Sequence, residues 1–550
     1  LLTALREFVL VSDAREPGSD LPQIDDHRFG IATTSKSRTV RRTWLDTFDW
    51  RLFRAGLTLE LLVGRGSAEL MLTGRDGELV ATEPVPSGSV SGNGSVSGNG
   101  SVSGGRPIRW PSRLDQLPAG PLREHLAPVV GVRALLPVTK ATSVLTELRA
   151  VNTDEKTIAV LALDRMTVTQ PTQRRPAPEH KNASPPARLA VIPLRGYQVQ
   201  ASKLADLLER APGVALAVQS PFEAAVASAG RRPGDYTGKI DVHLTSEMPA
   251  ALALATVLGR LFDTVEANLA GTIADVDTEF LHDLRVAVRR SRSVLKTAKS
   301  VLPADVVGRY RSEFKWLGDL TTPTRDLDVY LLGYPSMTAR LVAAGEPDLA
   351  PFCDYLQRHR ATAYRQLVRG LKSARFTSLA ASWRHDLDQI AAAPGRKPTT
   401  SALAARRIAK AHRLVLSAGA LIDPASPPQA LHDLRKLCKE LRYLLEVFAS
   451  LHDPAAQWRA VNELKALQDC LGEYQDTDVQ LTELRTFARA MMADRSAPAE
   501  TLLAMGEIAA DLAVRQGRAR AEFAGRFTAF ASPRGRARIG ALTNAAGSTA

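Results

Sequence analysis

The sequence predicts an α+β protein of two domains, a strand-rich N-terminal one and an all-α C-terminal one. Three observations carry that prediction. Roughly the first 220 residues hold short alternating, β-branched runs, whereas after Asp241 Ala, Leu and Arg dominate and apolar residues recur at helical spacing. Gly and Pro cluster between the two textures, in Ala229 to Asp241. The helical part is also duplicated. Leu281-His282-Asp283-Leu284-Arg285 returns 150 residues later as Leu431-His432-Asp433-Leu434-Arg435.

Composition agrees with two globular bodies. The chain has 550 residues, 45% hydrophobic and 23% charged, enough for a core in each half. Its formal charge is +13, which points to a polyanionic partner. Aromatic residues make up only 5%, too few for the stacking platforms of single-strand nucleic-acid binders. The three cysteines, Cys353, Cys438 and Cys470, are widely spaced in helical patterns. They predict buried thiols, not a disulfide framework or a zinc site. No apolar run approaches the ~18 residues of a membrane span, so no membrane partner and a cytoplasmic location are expected.

The domains are expected at 1–225 and 245–540, joined by a linker over 226–244. In the first, Trp50 to Val63 and Ser67 to Leu72 read as strands split by Gly64-Arg65-Gly66. Lys156 to Val168 and Ala187 to Ile192 read as two more. A six-residue repeat rich in Gly and Ser makes 87–105 a flexible surface insert, and Pro171 to Pro186 a Pro-rich basic loop. In the second domain, helices are expected near 247–271, 278–301, 305–320, 326–342, 350–371, 376–392, 400–421, 427–450, 456–472, 476–494 and 498–527. The duplication divides them into repeat 1, about 245–395, and repeat 2, about 396–540. Two bundles related by approximate two-fold symmetry follow.

The repeat keeps charges as well as apolar positions. Arg289, Arg292, Lys315, Asp319, Asp326 and Asp328 answer to Lys439, Arg442, Lys465, Asp469, Asp476 and Asp478. At ~100° per residue, His282, Arg285, Arg289, Arg292, Lys296 and Lys299 share an arc of about 100°. Leu281, Leu284, Val288 and Leu295 fall on the neighbouring arc. His432, Arg435, Lys439 and Arg442 repeat the stripe, with Lys436 close by. An ordinary solvated face mixes charge signs, because like charges at i,i+4 repel. A row of cations without an acid in the first copy, recurring in the second until Glu446, suits a linear polyanion, since Arg forks onto phosphate oxygens and Lys adds a point charge.

The histidines are poor metal ligands. Asp283 and Asp433 are their sequence neighbours and point away, and no His stands at i+4. Each is either a donor to phosphate or a packed structural residue. Asp326/Asp328 and Asp476/Asp478 follow an apparent helix break. They read as N-caps or as partners of bundle arginines, ahead of metal ligation.

At these residues the sequence resembles the CHAD family, the conserved histidine α-helical domain. The likeness rests on His282 to Arg292, with its Arg at 285, 289, 290 and 292, and on Lys315-Trp316-Leu317 with Arg325-Asp326-Leu327-Asp328-Val329. The second copy, His432 to Arg442 and Lys465 to Val479, fits the family's degenerate half. The resemblance implies two helical bundles facing a basic groove that binds inorganic polyphosphate without catalysis, in some members on polyphosphate granules. The groove residues it implies are His282, Arg285, Arg289, Arg290, Arg292, Lys296, Lys315, His432, Arg435, Lys436, Lys439, Arg442 and Lys465. No specific nucleic acid is expected as partner.

The N-terminal part resembles a diverged CYTH domain, an antiparallel β tunnel that cleaves triphosphates with a metal. Trp44-Leu45-Asp46-Thr47-Phe48-Asp49 with Leu52 resembles its Tyr-x-Asp-Thr-x-x-x-x-Leu motif, and Ala159 to Val168 its central strand. The family's opening pair of acids is missing around Arg6-Glu7-Phe8, its basic strand is Glu60-Leu61-Leu62, and its late acidic strand is Ala190 to Leu194. Metal-assisted hydrolysis needs carboxylates for Mg²⁺ and cations for the phosphates. A catalytically dead tunnel is therefore expected, with no cofactor. Mg²⁺ enters only under the alternative, a metal-dependent inorganic triphosphatase.

Overall fold

A computed structural model of the chain describes residues 5–10, 29–65, 67–85, 112–169, 184–395 and 397–544. The glycine-rich insert and almost all of the Pro-rich loop lie outside these residues. The chain divides into two compact units, Leu1–Thr237 and Gly238–Ala550.

Among the described residues, the first unit holds one nine-stranded antiparallel sheet. Its strands are β1 (Arg6–Leu10), β2 (Phe29–Asp46), β3 (Leu57–Val63), β4 (Ala68–Gly74), β5 (Leu79–Pro84), β6 (Leu136–Asn152), β7 (Thr157–Thr169), β8 (Arg188–Pro193) and β9 (Val214–Leu216). Their order is β5-β4-β3-β2-β6-β7-β8-β1-β9, and among the described residues the edges β5 and β9 do not pair with each other. Four helices accompany them: α1 (Arg51–Arg54), α2 (Pro121–Val130), α3 (Gln198–Arg210) and α4 (Pro221–Ser228).

The strands alternate, so the sheet has an apolar and a polar face. On the apolar face Leu59, Leu61, Leu70 and Leu72 meet Leu122, Leu126 and Val130 of α2. Leu148, Leu161, Leu163 and Val191 meet Leu204 and Leu208 of α3. The opposite face carries Arg42, Glu60, Asp164, Arg188 and Glu7. At one end of it Trp44, Met166 and Val168 pack with Trp50 and with Phe222 and Val226 of α4.

Trp50 to Val63 is not one strand. Residues 51–54 turn as a helix because the buried Asp46 carboxylate accepts from the backbone N–H of Thr47, Leu52 and Phe53 at 2.6, 2.9 and 3.0 Å. Burial pushes this carboxyl up to about 6 against those three donors. Asp46 is thus a buried cap in this fold.

The second unit is helical: α5 (Ala250–Ile273), α6 (Thr278–Ala298), α7 (Ala304–Thr338), α8 (Glu346–Leu371), α9 (Ala374–Ala392), α10 (Thr400–Ala420), α11 (Pro428–Val447), α12 (Pro454–Ala493), α13 (Ala499–Ala531) and α14 (Pro533–Asn544). α6 begins at Asp277, whose carboxylate accepts from the N–H groups of Glu279 and Phe280. It buries Leu281, Leu284, Val288 and Leu295, and α11 buries the equivalent Leu431, Leu434, Cys438 and Leu445. A large core joins parts of the ten helices among the described residues. A second core belongs only to the outer halves of α7, α8, α12 and α13, with Tyr330, Phe352, Leu356, Leu484, Ile508 and Leu512.

Two expected helix breaks are absent. The segments 305–320 and 326–342 form the single helix α7, and 456–472 and 476–494 form α12. Pro323 costs α7 a backbone hydrogen bond. The hydroxyls of Thr321 and Thr322 both donate to the Gly318 carbonyl just before it, at 2.9 and 2.8 Å. Beyond the proline, the second core holds the helix on its axis. Asp326, Asp328, Asp476 and Asp478 therefore lie in mid-helix and cap nothing.

Candidate anion-binding groove

The duplicated histidine helices α6 and α11 pack against each other, and their contacts are reciprocal. Arg290 donates to Glu446 at 2.8 Å, and Lys296 to Glu440 at 2.5 Å. Residues 290 and 440 are repeat equivalents, as are 296 and 446. Contacts that pair i with j′ and j with i′ are the signature of two-fold symmetry. The long helices show the same relation, since Tyr330 donates to the carbonyl of its own equivalent, Gln480, at 3.2 Å.

Four of the expected cations share one positive field. Lys439 is pushed down to about 8, first by burial and then by Arg435 of its own helix and Arg289 of the other repeat. Arg289 is the repeat equivalent of Lys439, and its guanidinium lies over the ring of Tyr443 on α11, 5.8 Å from the centroid. Arg285 donates to the Gly318 carbonyl at 3.3 Å and to Thr322 Oγ1, which fixes it on α7. Burial lowers its pKa, and Arg289, Arg325 and Arg292 add to that. Arg435 donates to Asp476 at 2.8 Å.

Arg292 and Arg442 lie over equivalent positions of the long helices. A Cβ at Gly318 would come 3.0 Å from the Arg292 guanidinium, so the glycine makes room for it. In repeat 2 that position is Gln468, and Arg442 donates to its Oε1 at 3.3 Å while also pairing with Glu446 at 2.8 Å.

The two histidines differ. His282 is half-buried and its pKa is lowered, first by burial and then by Arg325. His432 shares a 2.6 Å hydrogen bond with Gln475, the residue that replaces Arg325 in repeat 2. Arg325 thus lies close to His282, although the stripe on α6 alone does not include it. Its signal was its place in the Arg325-Asp326 motif.

The remaining cations are placed elsewhere. Arg290 and Lys296 bridge the repeats. Lys436 pairs with Asp433 at 3.0 Å on an exposed surface of α11. Lys315 pairs with Asp319 at 2.7 Å on an exposed surface of α7, and Lys465 is exposed on α12.

The aspartates divide in two. Asp328 is 1% exposed and accepts from Arg360, which also holds Asp275. Asp478 accepts from Gln516 at 3.0 Å. Asp326 and Asp476 instead face the groove arginines Arg285 and Arg435. Partnership with a bundle arginine is therefore the role of Asp326, Asp328 and Asp476.

On the polar face of the sheet, Glu60 and Asp164 are both held by Arg42, which donates to Glu60 through two nitrogens and to Asp164 at 2.9 Å. Arg188 holds Glu7 at 2.6 Å. Among the described residues no group of three or more His, Cys, Asp or Glu is placed to hold a metal. These carboxylates, each committed to an arginine, do not fit a bound Mg²⁺. Nor is any described helix long and apolar enough to cross a membrane.

No curated protein matches the chain. Among solved structures, it is similar to the CHAD domain from the plant Ricinus communis, with 22% identity and a TM-score of 0.42, covering 55% of this chain and 96% of that one. PptA from Streptomyces chartreusis is similar at 19% identity and a TM-score of 0.41, covering 51% of this chain and 99% of that one. Residues 256–485, from α5 to α12, match the model of the CHAD domain.

Proposed function

We propose that the helical unit binds inorganic polyphosphate between α6 and α11, as a binder and not as a catalyst. The observation that carries this is the mutual repulsion of equivalent cations. Burial leads in lowering the Lys439 pKa, and Arg435 and Arg289 then add a repulsion that an incoming polyanion offsets. The duplicated row of Arg285, Arg289 and Arg292 with Arg435, Lys439 and Arg442 offers donors to phosphate oxygens in both repeats, forked ones from the arginines. His282, with Arg325, extends the first half of the row. The CHAD match over α5 to α12 supports the same reading.

The wider setting is part of the proposal. The protein works in the cytoplasm, on polyphosphate granules, and its N-terminal sheet is a diverged triphosphate tunnel without turnover. The test is a binding isotherm for medium-length polyphosphate at low and physiological salt. With about four phosphates neutralised, log K should fall against log salt with a slope of roughly −3, by the counterion-release rule for single strands. Replacing Arg285, Arg289, Arg435 and Lys439 together with Ala should abolish binding, and unchanged affinity in that variant overturns the proposal. Turnover of tripolyphosphate with Mg²⁺ would overturn the reading of the sheet.

A further inference from the structure

We infer that Asp326 and Asp476 are built-in competitors for the anion: their carboxylates face the guanidinium groups that the ligand takes, and so set the affinity of the groove. This rests on the polyphosphate reading of that groove. The two aspartates are repeat equivalents, and each meets the equivalent arginine. Asp326 lies 3.9 Å from Arg285, and Asp476 2.8 Å from Arg435.

The contrast with their neighbours separates this role from a structural one. Asp328, two residues on, is fully buried in the network of Arg360 and Asp275, as a carboxylate that holds helices together is. The side chains of Asp326 and Asp476 keep 45% and 63% of their exposure. Exposed pairs of that kind contribute little to stability. Neither aspartate caps a helix, since α7 and α12 run through both. Arg285 is already positioned by the Gly318 carbonyl and Thr322 Oγ1, without Asp326.

The duplication sharpens the point. At 290/440 and 296/446 the sign of the charge differs between the repeats, so the repeat tolerates reversal where the fold uses it. At 326/476 both copies carry an acid inside a row of cations, where a carboxylate opposes any anion. Glu483 on α12 adds a second carboxyl near Asp326. Binding then replaces the Asp476 carboxylate on Arg435 with a phosphate oxygen and sets another on Arg285 against the Asp326 carboxylate 3.9 Å away, and both aspartates turn to solvent.

The test uses the full chain with medium-length polyphosphate as probe. Asp326→Asn with Asp476→Asn should bind it on the order of tenfold more tightly, two released exposed pairs being the source. A second comparison separates fork competition from diffuse repulsion: with Arg435→Ala in place, adding Asp476→Asn should produce a clearly smaller gain. Unchanged or weaker binding by the double Asn variant overturns the inference, as does an equal gain in the Arg435→Ala background. If the parent protein itself does not bind polyphosphate, the functional reading fails, and the inference with it.

Discussion

Arg290 in the first repeat and Glu446 in the second are joined at 2.8 Å, across 156 residues of chain. Lys296 and Glu440 make the reciprocal pair across 144 residues. At these positions the first repeat supplies both cations and the second both acids. Two identical copies would have set like charges against each other here, so the reversal fits the repeats to one another within a single chain.

Glu446→Lys should therefore destabilise the protein by about 1–3 kcal/mol, because the pair is largely shielded and Arg442 shares the carboxylate. Glu440→Lys should cost less than about 1 kcal/mol, since Lys296 is mostly exposed. Exchanging all four charges should recover most of the loss. Chemical denaturation of the single and exchanged variants measures this, and an additive loss in the exchanged variant would refute it.

On the proposed polyanion reading, the lowered pKa of Lys439 makes binding depend on pH. Below about 8 Lys439 is already charged, and above it the free protein must take up a proton on binding. Affinity should fall as pH rises through 8 towards the ordinary lysine value, and Lys439→Arg should flatten that fall. The sign for stability is the reverse. The folded state holds fewer protons than the unfolded one between about 8 and 10.5, so the burden that Lys439 places on the fold lightens as pH rises through that window. Isotherms at pH 7, 8 and 9 test the first statement and denaturation over the same range the second.

His282 should titrate higher once Arg325 is replaced by Gln, the residue that repeat 2 carries at that position. Burial remains the leading cause of its lowered pKa, and Arg325 is the next. An NMR titration of the imidazole in Arg325→Gln reads the change directly. An unmoved or lower value would mean that Arg325 does not act on His282.

Gly271 lets α5 approach the start of α6. A Cβ there would lie 2.3 Å from the ring of Phe280, two residues before His282. Gly271→Ala should destabilise the protein by about 1–3 kcal/mol through overpacking. It should also weaken polyphosphate binding, because it displaces the turn that carries His282. Denaturation and an isotherm on the same variant check both effects.

The two-domain α+β class and the helical stripe of α6 were legible in the sequence because both are local patterns of apolar spacing. So was the duplication, since a 150-residue offset needs no structure to be seen. The long strands β2 and β6 were not legible, because Arg, Ser and Thr interrupt their apolar alternation. Nor was the continuity of α7. Thr322-Pro323-Thr324 carries every local sign of a break, and it is overruled by a core drawn from both repeats.

For the groove, the sequence by itself determined which residues carry positive charge and that the row occurs twice. Only the tertiary structure decided which of those charges are neutralised within the fold. Arg290 and Lys296 sit in the same short stretch as Arg285 and Arg289, yet they are neutralised by Glu446 and Glu440 from the other repeat. Spacing along a helix places a side chain on a face, but a charge is cancelled by what lies opposite. Here the opposite surface is about 150 residues away in the chain and is brought there by the packing of α6 on α11.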